Sequence, residues 1–438
     1  MNIDKVTLHD LSIFHSEEDQ SIFHKLNQTR TSLGRDWLHR FFKEPFDNVS
    51  AIEQQQQILQ HLTTFLDDWP QQISNGTIMV MVRFFDAQLE PIPPAHSFLG
   101  GLRYKLMASP DFATVRYSMG HFADFVRGFL RLIELLRATQ LPKPLQQLLD
   151  RAAGLLNETT IQALGAHLSG TSFTLQEVVG FGHFIFYRYK QQVHELLQLF
   201  GKLDAWYGMA KAAVVFNLQY PKVIDISTPV LEVRQLYHLL LPQPVAYDID
   251  LNKQHNFLFL TGANMAGKST FIRSIGAAIY LAHLGMGVPA ASMTCSLFEG
   301  ILSNINVTDN IARGESFFFN EVQRIRNTIL KINDGNKWLV FIDELFKGTN
   351  IKDAMKCSLA VIEGLVKMRQ SIFVLSTHLY EIGEELRNHQ NIQFSYFETE
   401  IEDDQLVFNY HLRPGISNDR IGYLILKREK VLELLDKL

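Results

Sequence analysis

The feature that most constrains the fold of this chain is a glycine-containing loop at residues 262–270. Its sequence, Gly-Ala-Asn-Met-Ala-Gly-Lys-Ser-Thr, fits the pattern G-x-x-x-x-G-K-[ST]. The apolar run Asn256–Leu260 predicts a buried strand before the loop, and apolar residues at helical spacing from Phe271 to Leu284 predict a helix after it. A strand, a glycine loop and a helix in this order are typical of a phosphate-binding site, because loop amides and a helix N-terminus both favour an anion.

The loop predicts a site for ATP and Mg²⁺. We expect the ammonium group of Lys268 to reach the β- and γ-phosphates and to stabilise the charge that develops during hydrolysis. The hydroxyl group of Ser269 is expected to ligate Mg²⁺. The predicted nucleotide-binding residues are Gly262, Ala263, Asn264, Met265, Ala266, Gly267, Lys268, Ser269 and Thr270.

Two neighbouring carboxylates follow a second apolar run, Lys337–Ile342. In ATPases with a phosphate-binding loop, an acid at the end of such a strand holds Mg²⁺, and an acid beside it polarises the attacking water. We therefore assign Asp343 to the metal and Glu344 to the water. The alternative is that the two acids form the N-cap of the next helix. Their occurrence together with the loop at residue 262 favours the catalytic interpretation.

A third apolar run, Ser371–Thr377, ends at His378. A lone histidine is usually structural, but at the end of a strand in a nucleotide-binding sheet it could contact the γ-phosphate or the attacking water. Another polar segment with a glycine and a serine ends at Ser316, where a helix is expected to begin near Phe317. Ser316 could bind an anion, in its own site or in that of a partner subunit, or could simply cap the helix.

Composition predicts a soluble, cytoplasmic protein of about two domains. Of the 438 residues, 46% are hydrophobic and 20% are charged, which is ordinary for a globular chain. The formal net charge of −5 gives no general attraction to nucleic acid. Two cysteines are too few for a disulfide framework, and no apolar run approaches the length of a membrane span, so no membrane partner is expected.

The hydrophobic pattern changes between the two halves of the chain. Residues 1–240 read as almost entirely helical, with a capping box at Ser50–Glu53 and a segment at 175–216 that is either one long helix or two ordinary ones. Residues 241–438 alternate strands with helices, which predicts a parallel α/β sheet with a hairpin about residues 402–404 and a closing helix at 424–438. We therefore expect an α plus α/β chain with a domain boundary near Leu241.

Five motifs in this order resemble the MutS proteins of DNA mismatch repair. Thr261–Thr270 is similar to that family's TGPNMGGKST, and Gly287–Ala290 is similar to its YVPA. Asp309–Phe318 resembles DDLASGRSTF, and Asp343–Thr349 resembles DELGRGT. Ser376–His378 fits the STHY stretch. The resemblance is close across the second half of the chain and weaker across the first half, which is similar to the helical core, or lever, of the family.

The resemblance implies a helical lever domain (1–240) followed by an ABC-type P-loop ATPase domain (241–438). It also implies a homodimer with two sites at the subunit interface, so that Ser316 reaches the nucleotide of the opposite subunit. Mismatched or structured DNA is the implied ligand of the helical half. Because the core pattern already begins at Ile3, we expect the mismatch-reading and connector domains to be absent.

Several residues depart from the family motifs. Ala263 replaces a proline and Ala266 replaces a glycine, and an alanine at the second position is comfortable only with a negative φ. Phe317 replaces a threonine, Phe346 a glycine, and Lys347 an arginine. These changes leave every expected phosphate, metal and water ligand in place.

The sequence is therefore consistent with two functions. One is an ATPase that dimerises on nucleotide and acts on mismatched or structured DNA. The other is a MutS-derived ATPase switch that binds a protein partner and no DNA, which the acidic balance favours. An ABC transporter motor is disfavoured because its LSGGQ signature does not occur. Tyr247 is a candidate for stacking on adenine and equally a candidate for the core.

Overall fold

The computed structural model describes residues 1–95, 97–137, 140–167, 171–263, 265–305, 317–402 and 405–417. Asn264, Ser316 and the expected closing helix at 424–438 therefore lie outside the described residues. The helices are α1 (Lys5–Asp10), α2 (Ile22–Leu26), α3 (Ser32–Lys43), α4 (Val49–Thr63), α5 (Asn75–Asp86), α6 (Phe98–Met107), α7 (Ser109–Leu136), α8 (Lys143–Leu156), α9 (Thr159–Ala166), α10 (Leu175–His183), α11 (Lys190–Val215), α12 (Lys268–His283), α13 (Phe317–Ile332), α14 (Ile351–Leu365) and α15 (Tyr380–Glu385). The strands are β1 (Asn2–Ile3), β2 (Lys222–Ile224), β3 (Val230–Leu236), β4 (Tyr247–Asn252), β5 (Phe257–Thr261), β6 (Ser292–Ser296), β7 (Gly300–Asn304), β8 (Trp338–Asp343), β9 (Ile372–Ser376), β10 (Ile392–Phe397), β11 (Glu400–Glu402), β12 (Gln405–Val407) and β13 (Leu412–Pro414).

The chain divides into two compact units, which we call the strand-rich unit and the helical unit. The strand-rich unit consists of Met1–Lys25, Glu44–Glu53 and the chain from Phe216 onward, and the helical unit consists of Leu26–Lys43 and Gln54–Val215. This division differs from the expected boundary near Leu241. The reason is strand pairing: β2 and β3 lie before that position and pair with β6, so they belong to the strand-rich unit.

A seven-stranded sheet, ordered β1-β7-β8-β9-β5-β10-β13, forms the centre of the strand-rich unit. Every residue of β5, β7, β8 and β9 is buried, as expected for parallel strands covered on both faces. The register places Asp343 of β8 beside Ser376 of β9, and Ser376 beside Leu260 of β5. Because parallel strands end at the same edge of a sheet, the glycine loop, the two acids and His378 all follow strands at that edge.

The smaller strands of this unit show local irregularity. A second sheet is ordered β2-β6-β3-β4, and its register shifts between Val233 and Leu236. Gln235 lies within this shift with φ of 54°, in the left-handed region, which is the behaviour of a β-bulge. The predicted hairpin about residues 402–404 is present as the antiparallel pair β11 and β12.

The helical unit is organised by a buried carboxylate between α3 and α11. Asp204 is fully buried and accepts hydrogen bonds from the backbone N–H groups of Arg30 (3.0 Å) and Thr31 (2.9 Å), and from the Thr31 hydroxyl (2.6 Å). Burial raises the pKa of Asp204, and these donors act against that shift. A Cβ atom at Gly34 would lie only 2.1 Å from an Asp204 oxygen, so glycine is required there.

The segment at 175–216 folds as two helices. α10 and α11 are joined by a π-helical turn, Phe184–Arg188, which interrupts what would otherwise be one long helix.

The capping box expected at Ser50–Glu53 is wrong in position. The helix α4 already begins at Val49, and the Asn48 side chain accepts the backbone N–H of Ala51 at 2.8 Å. Asparagine is as good an N-cap as serine, and it stands earlier in the chain.

Gly276 marks the closest packing of α12. A Cβ atom at this position would lie 2.4 Å from one Leu11 methyl carbon and 2.9 Å from a ring carbon of Phe341, and both side chains are fully buried. We predict that Gly276→Ala lowers the free energy of unfolding by about 1–3 kcal/mol, because overpacking outweighs the gain in helix propensity. Urea denaturation measures this change.

The matched control is Gly364→Ala in α14, where a Cβ atom would meet nothing within 4 Å. This variant is expected to raise the free energy of unfolding by about 0.5–1 kcal/mol through helix propensity alone. Equal stability of the two variants would contradict the packing argument at Gly276.

Candidate active site

The glycine loop connects the carboxyl end of β5 to the first turn of α12, and its backbone is in part left-handed. Gly262, Met265 and Gly267 have φ values of 136°, 72° and 103°. A Cβ atom at Gly262 would lie 3.2 Å from the carbonyl oxygen of Phe397, and one at Gly267 would lie 3.2 Å from the Tyr410 ring. Ala266 is buried and keeps a negative φ, so the alanine that replaces a family glycine is accommodated without strain.

Lys268 extends back over this loop from the first position of α12. Its side chain is 6% exposed, and its Nζ donates to the carbonyl oxygens of Gly262 (2.7 Å) and Ala263 (2.8 Å). Burial lowers the pKa of Lys268, while the carboxylates of Glu344 and Asp343 act to raise it. The first turn of α12 contains no acidic residue and no side chain caps it. The lysine and the helix N-terminus therefore present positive potential on the same side of the loop.

Asp343 lies beside the second residue of α12. Its Oδ2 accepts a hydrogen bond from the Ser269 hydroxyl at 2.5 Å, and its Oδ1 accepts one from the Ser376 hydroxyl. Asp343 is 8% exposed. A hydroxyl and a carboxylate oxygen on adjacent elements are hard ligands that suit Mg²⁺. Among the described residues there is no cluster of three or more His, Cys, Asp or Glu side chains that could hold a metal ion, so an Mg²⁺ ion here would take other ligands from water or from a nucleotide.

Glu344 is held by two basic side chains. Its Oε1 lies 3.3 Å from Nδ1 of His378, and its Oε2 lies 3.2 Å from Nζ of Lys347. Burial alone would raise the pKa of Glu344, but the hydrogen bonds and charges of His378 and Lys347 outweigh it and lower that pKa to about 2. The side chain is 16% exposed. Glu344 is thus a partly buried, fully ionised carboxylate at neutral pH.

These side chains share one cleft of about 640 Å³. The predicted residues that line it are Ala263, Met265, Gly267, Lys268, Ser269, Thr270, Asp343 and Glu344. Another part of its wall is formed by His238, Leu241, Gln243, Val245, Tyr247 and Tyr410. Tyr247 lines the cleft and also packs edge-on against Phe271, with ring centroids 5.1 Å apart, and burial raises its pKa to about 12. Tyr247 therefore lies in the cleft wall and also packs against the core, and its stacking on adenine stays a prediction.

Sequence reasoning missed several residues of this site. Lys347 was noted only as a replacement for arginine, although it holds Glu344, and Ser376 only as part of a motif, although it holds Asp343. His238 is buried in the cleft wall, where burial lowers its pKa to about 4. Tyr410 packs against Gly267 of the glycine loop. Only Ser376 had a sequence signal, its place at the end of a strand. Asn264 and Ser316 lie outside the described residues.

Comparison with known proteins agrees with this geometry. Residues 258–432, which hold the loop, the two acids and His378, match the family model described as MutS domain V. This stretch of the chain is similar to that domain of MutS proteins. The predicted resemblance is therefore confirmed, and the matched domain is the one that serves as an ATPase domain in MutS proteins.

Two curated relatives show how much of the family this chain shares. It is 32% identical over 229 residues to the DNA mismatch repair protein MutS of Anaplasma phagocytophilum (strain HZ), covering 50% of this chain and 27% of that protein. It is 30% identical over 199 residues to the DNA mismatch repair protein spellchecker 1 of Drosophila melanogaster, covering 45% of this chain and 21% of that protein. The chain thus matches only about a quarter of the length of either relative.

None of the described helices is both long enough and apolar enough to span a membrane.

The electrostatics of Glu344 predict a specific pH dependence of stability. Its folded-state pKa of about 2 lies below the ordinary value of 4.5, so the stabilisation it contributes is complete above about pH 5 and is lost as the pH falls toward 2. We expect the free energy of unfolding of the wild type, relative to Glu344→Gln, to decrease across that window and to be constant above it. Chemical denaturation at pH 6, 4.5 and 3 measures the difference. A difference that does not change with pH would show that His378 and Lys347 do not stabilise the carboxylate.

Proposed function

We propose that this MutS-family protein binds ATP with Mg²⁺, hydrolyses the γ-phosphate, and acts as a nucleotide-dependent homodimer on mismatched or structured DNA in repair or recombination. One observation carries the enzymatic part of the proposal. A buried lysine over a glycine loop, a serine–aspartate pair and an ionised glutamate all line the same cleft. These are the groups that an ABC-type P-loop ATPase requires at the carboxyl edge of its sheet.

The glycine loop supplies the phosphate site in this proposal. Its backbone N–H groups and the N-terminus of α12 bind the phosphates. Lys268 exchanges its two carbonyl partners for phosphate oxygens, which is favourable because a buried ammonium group bonds more strongly to an anion than to a neutral acceptor. The nucleotide-binding residues are the nine of the loop, Gly262–Thr270.

The two acidic residues have different roles: Asp343 is a metal ligand, and Glu344 positions the attacking water. Ser269 and Asp343 would hold Mg²⁺, which would supply positive charge to offset that of the phosphate groups. Glu344 accepts a hydrogen bond from the attacking water and orients it in line with the γ-phosphate. His378 and Lys347 fix the two oxygens of Glu344, and the half-exposed ring of His378 is free to turn toward the same water.

The dimer and the DNA belong to the proposal through the MutS resemblance. Ser316 is assigned to the nucleotide of the opposite subunit, and closure of two subunits over two ATP molecules is expected to move the helical units. The names of both curated relatives are those of DNA mismatch repair proteins. The cytoplasm is the proposed location.

A second candidate function, a switch that binds a protein partner, is favoured by the surface of α6. This helix exposes five large apolar side chains, Phe98 (55%), Leu99 (79%), Leu102 (39%), Leu106 (71%) and Met107 (75%). Apolar side chains grouped in this way on a surface are typical of protein contacts and not of contacts with DNA phosphates. The net charge of −5 is consistent with the same function.

Two variants test the enzymatic proposal. Glu344→Gln is expected to bind ATP as the wild type does and to lower kcat about 100-fold or more, because the amide no longer orients the water as a carboxylate does. Lys268→Ala is expected to weaken ATP binding about 10- to 100-fold, because a charged hydrogen-bond donor to the phosphates is lost. Equilibrium binding of a fluorescent ATP analogue and steady-state phosphate release separate the two effects.

The matched controls lie in the same unit and away from the cleft. Lys337→Ala removes a lysine that also donates to a backbone carbonyl, that of Ile226, at the opposite end of β8. Glu384→Gln removes a glutamate that pairs with Arg387 on the surface. Both are expected to keep wild-type binding and turnover. Wild-type ATP affinity in Lys268→Ala, or an unchanged kcat in Glu344→Gln, would refute the corresponding assignment.

DNA binding distinguishes the two candidate functions. If the protein acts on DNA, one DNA structure among mismatched, branched and plain duplexes should stimulate ATP turnover. The DNA affinity should also fall by about 10-fold or more between 50 and 200 mM salt, because phosphate contacts release counterions. The measurement is the ATPase rate and the dimer fraction with each DNA at both salt concentrations. Nucleotide-driven dimerisation without any effect of DNA would favour the protein-partner switch.

A further inference from the structure

The loop that carries Glu344 has an unusual backbone. Glu344 and Phe346 have φ values of 62° and 60°, so two residues with side chains occupy the left-handed region within three positions. A residue with a Cβ atom is strained in this region relative to a negative φ. A conformation of this kind persists only where the surrounding structure holds it in place. Contacts from α13 hold this loop.

The principal contact comes from Glu321 in α13. Its Oε1 accepts the backbone N–H of Lys347 at 3.2 Å, and its Oε2 accepts the backbone N–H of Gly348 at 3.3 Å. Glu321 is 5% exposed, and burial raises its pKa while these backbone N–H groups act to lower it. A buried carboxylate is costly unless it is hydrogen-bonded, and here both oxygens bond to the backbone of one loop.

A second contact joins the same two elements. The ring of Phe318, in the first turn of α13, lies 5.6 Å from the ring of Phe346, which is 3% exposed. α13 thus holds the loop through the hydrogen bonds that Glu321 accepts and through the contact between the Phe318 and Phe346 rings. The loop in turn positions the side chain of Lys347, whose Nζ lies 3.2 Å from Glu344.

We propose that Glu321 is a positioning residue that holds the loop Glu344–Gly348 in its left-handed conformation and so keeps Glu344 and Lys347 in place for hydrolysis. This proposal rests on the proposed ATPase function for its catalytic part. Glu321 touches neither nucleotide nor water in this scheme and acts only through the loop backbone. A group that only stabilised the fold would affect ATP affinity and turnover together, whereas a positioning group affects kcat far more than KM.

The test compares Glu321→Ala and Glu321→Gln with a matched control, Asp334→Ala. Asp334 also accepts a backbone N–H, that of Asn336 at 2.9 Å, and the indole N–H of Trp338 at 3.0 Å, but at the opposite end of β8. The first readout needs no catalysis. Hydrogen exchange of the peptide that covers residues 344–350 is expected to accelerate about tenfold in both Glu321 variants, because their loop amides lose an acceptor, and to stay unchanged in the control.

The second readout is steady-state kinetics. Glu321→Ala is expected to lower kcat about tenfold or more with KM for ATP within about threefold, because small misplacement of a catalytic group is costly. Glu321→Gln, which keeps the size and one acceptor oxygen, should lie between the alanine variant and the wild type, and it replaces that variant if the latter does not fold. The control should keep kcat within about twofold of the wild type.

The outcomes separate this proposal from the proposed function. Unchanged exchange of the loop amides would overturn the holding role of Glu321. Faster exchange with an unchanged kcat, or an equal loss of ATP affinity and kcat, would overturn the positioning role while ATP hydrolysis itself stands. If the wild type does not hydrolyse ATP, the proposed function fails. Faster loop exchange in the variants would then still establish that Glu321 holds the loop.

Discussion

The parallel pairing of β5, β9 and β8 is the constraint on which the rest of the site depends. Three fully buried strands run side by side, and their carboxyl ends fall at one edge of the sheet. Residues more than 70 positions apart in the chain, such as Ser269 and Asp343, become hydrogen-bonded only through this pairing. Burial of both faces of each strand provides the driving force, because the apolar side chains leave water on either side.

The strand pairing also brings positive and negative side chains together in the cleft. Lys268 and Lys347 place positive charge near Asp343 and Glu344, and each group is partly withdrawn from water. The carboxylate of Glu344 remains ionised because two partners compensate the cost of its burial. The replacement of a family arginine by Lys347 keeps the charge, and the replacement of a family glycine by Phe346 adds a buried ring at a left-handed position. Packing of that ring offsets the backbone strain.

Local patterns predicted much of the fold and of the candidate site. β5, α12, β8 and β9 were predicted from apolar runs and spacing, and the start of α13 was predicted from the polar segment before it. The observed division of the chain, which differs from the expected boundary near Leu241, was not predictable in the same way, because β2 and β3 are short and join their sheet through β6. The cap of α4 was misplaced by two residues because Asn48 and Ser50 both suit an N-cap. The π-helical turn between α10 and α11 leaves no distinct signal in composition.

The sequence by itself determined which chemical groups the candidate site contains, since a phosphate-type loop, a pair of acids and a histidine at strand ends are local patterns. Tertiary structure alone decided which partners surround each group. Ser376 holds Asp343, Lys347 and His378 hold Glu344, and Glu321 holds the loop that Glu344 begins. The physical reason is that hydrogen bonds and ion pairs act over a few ångströms. Which side chains approach that closely depends on strand order, register and helix packing, which no local pattern contains.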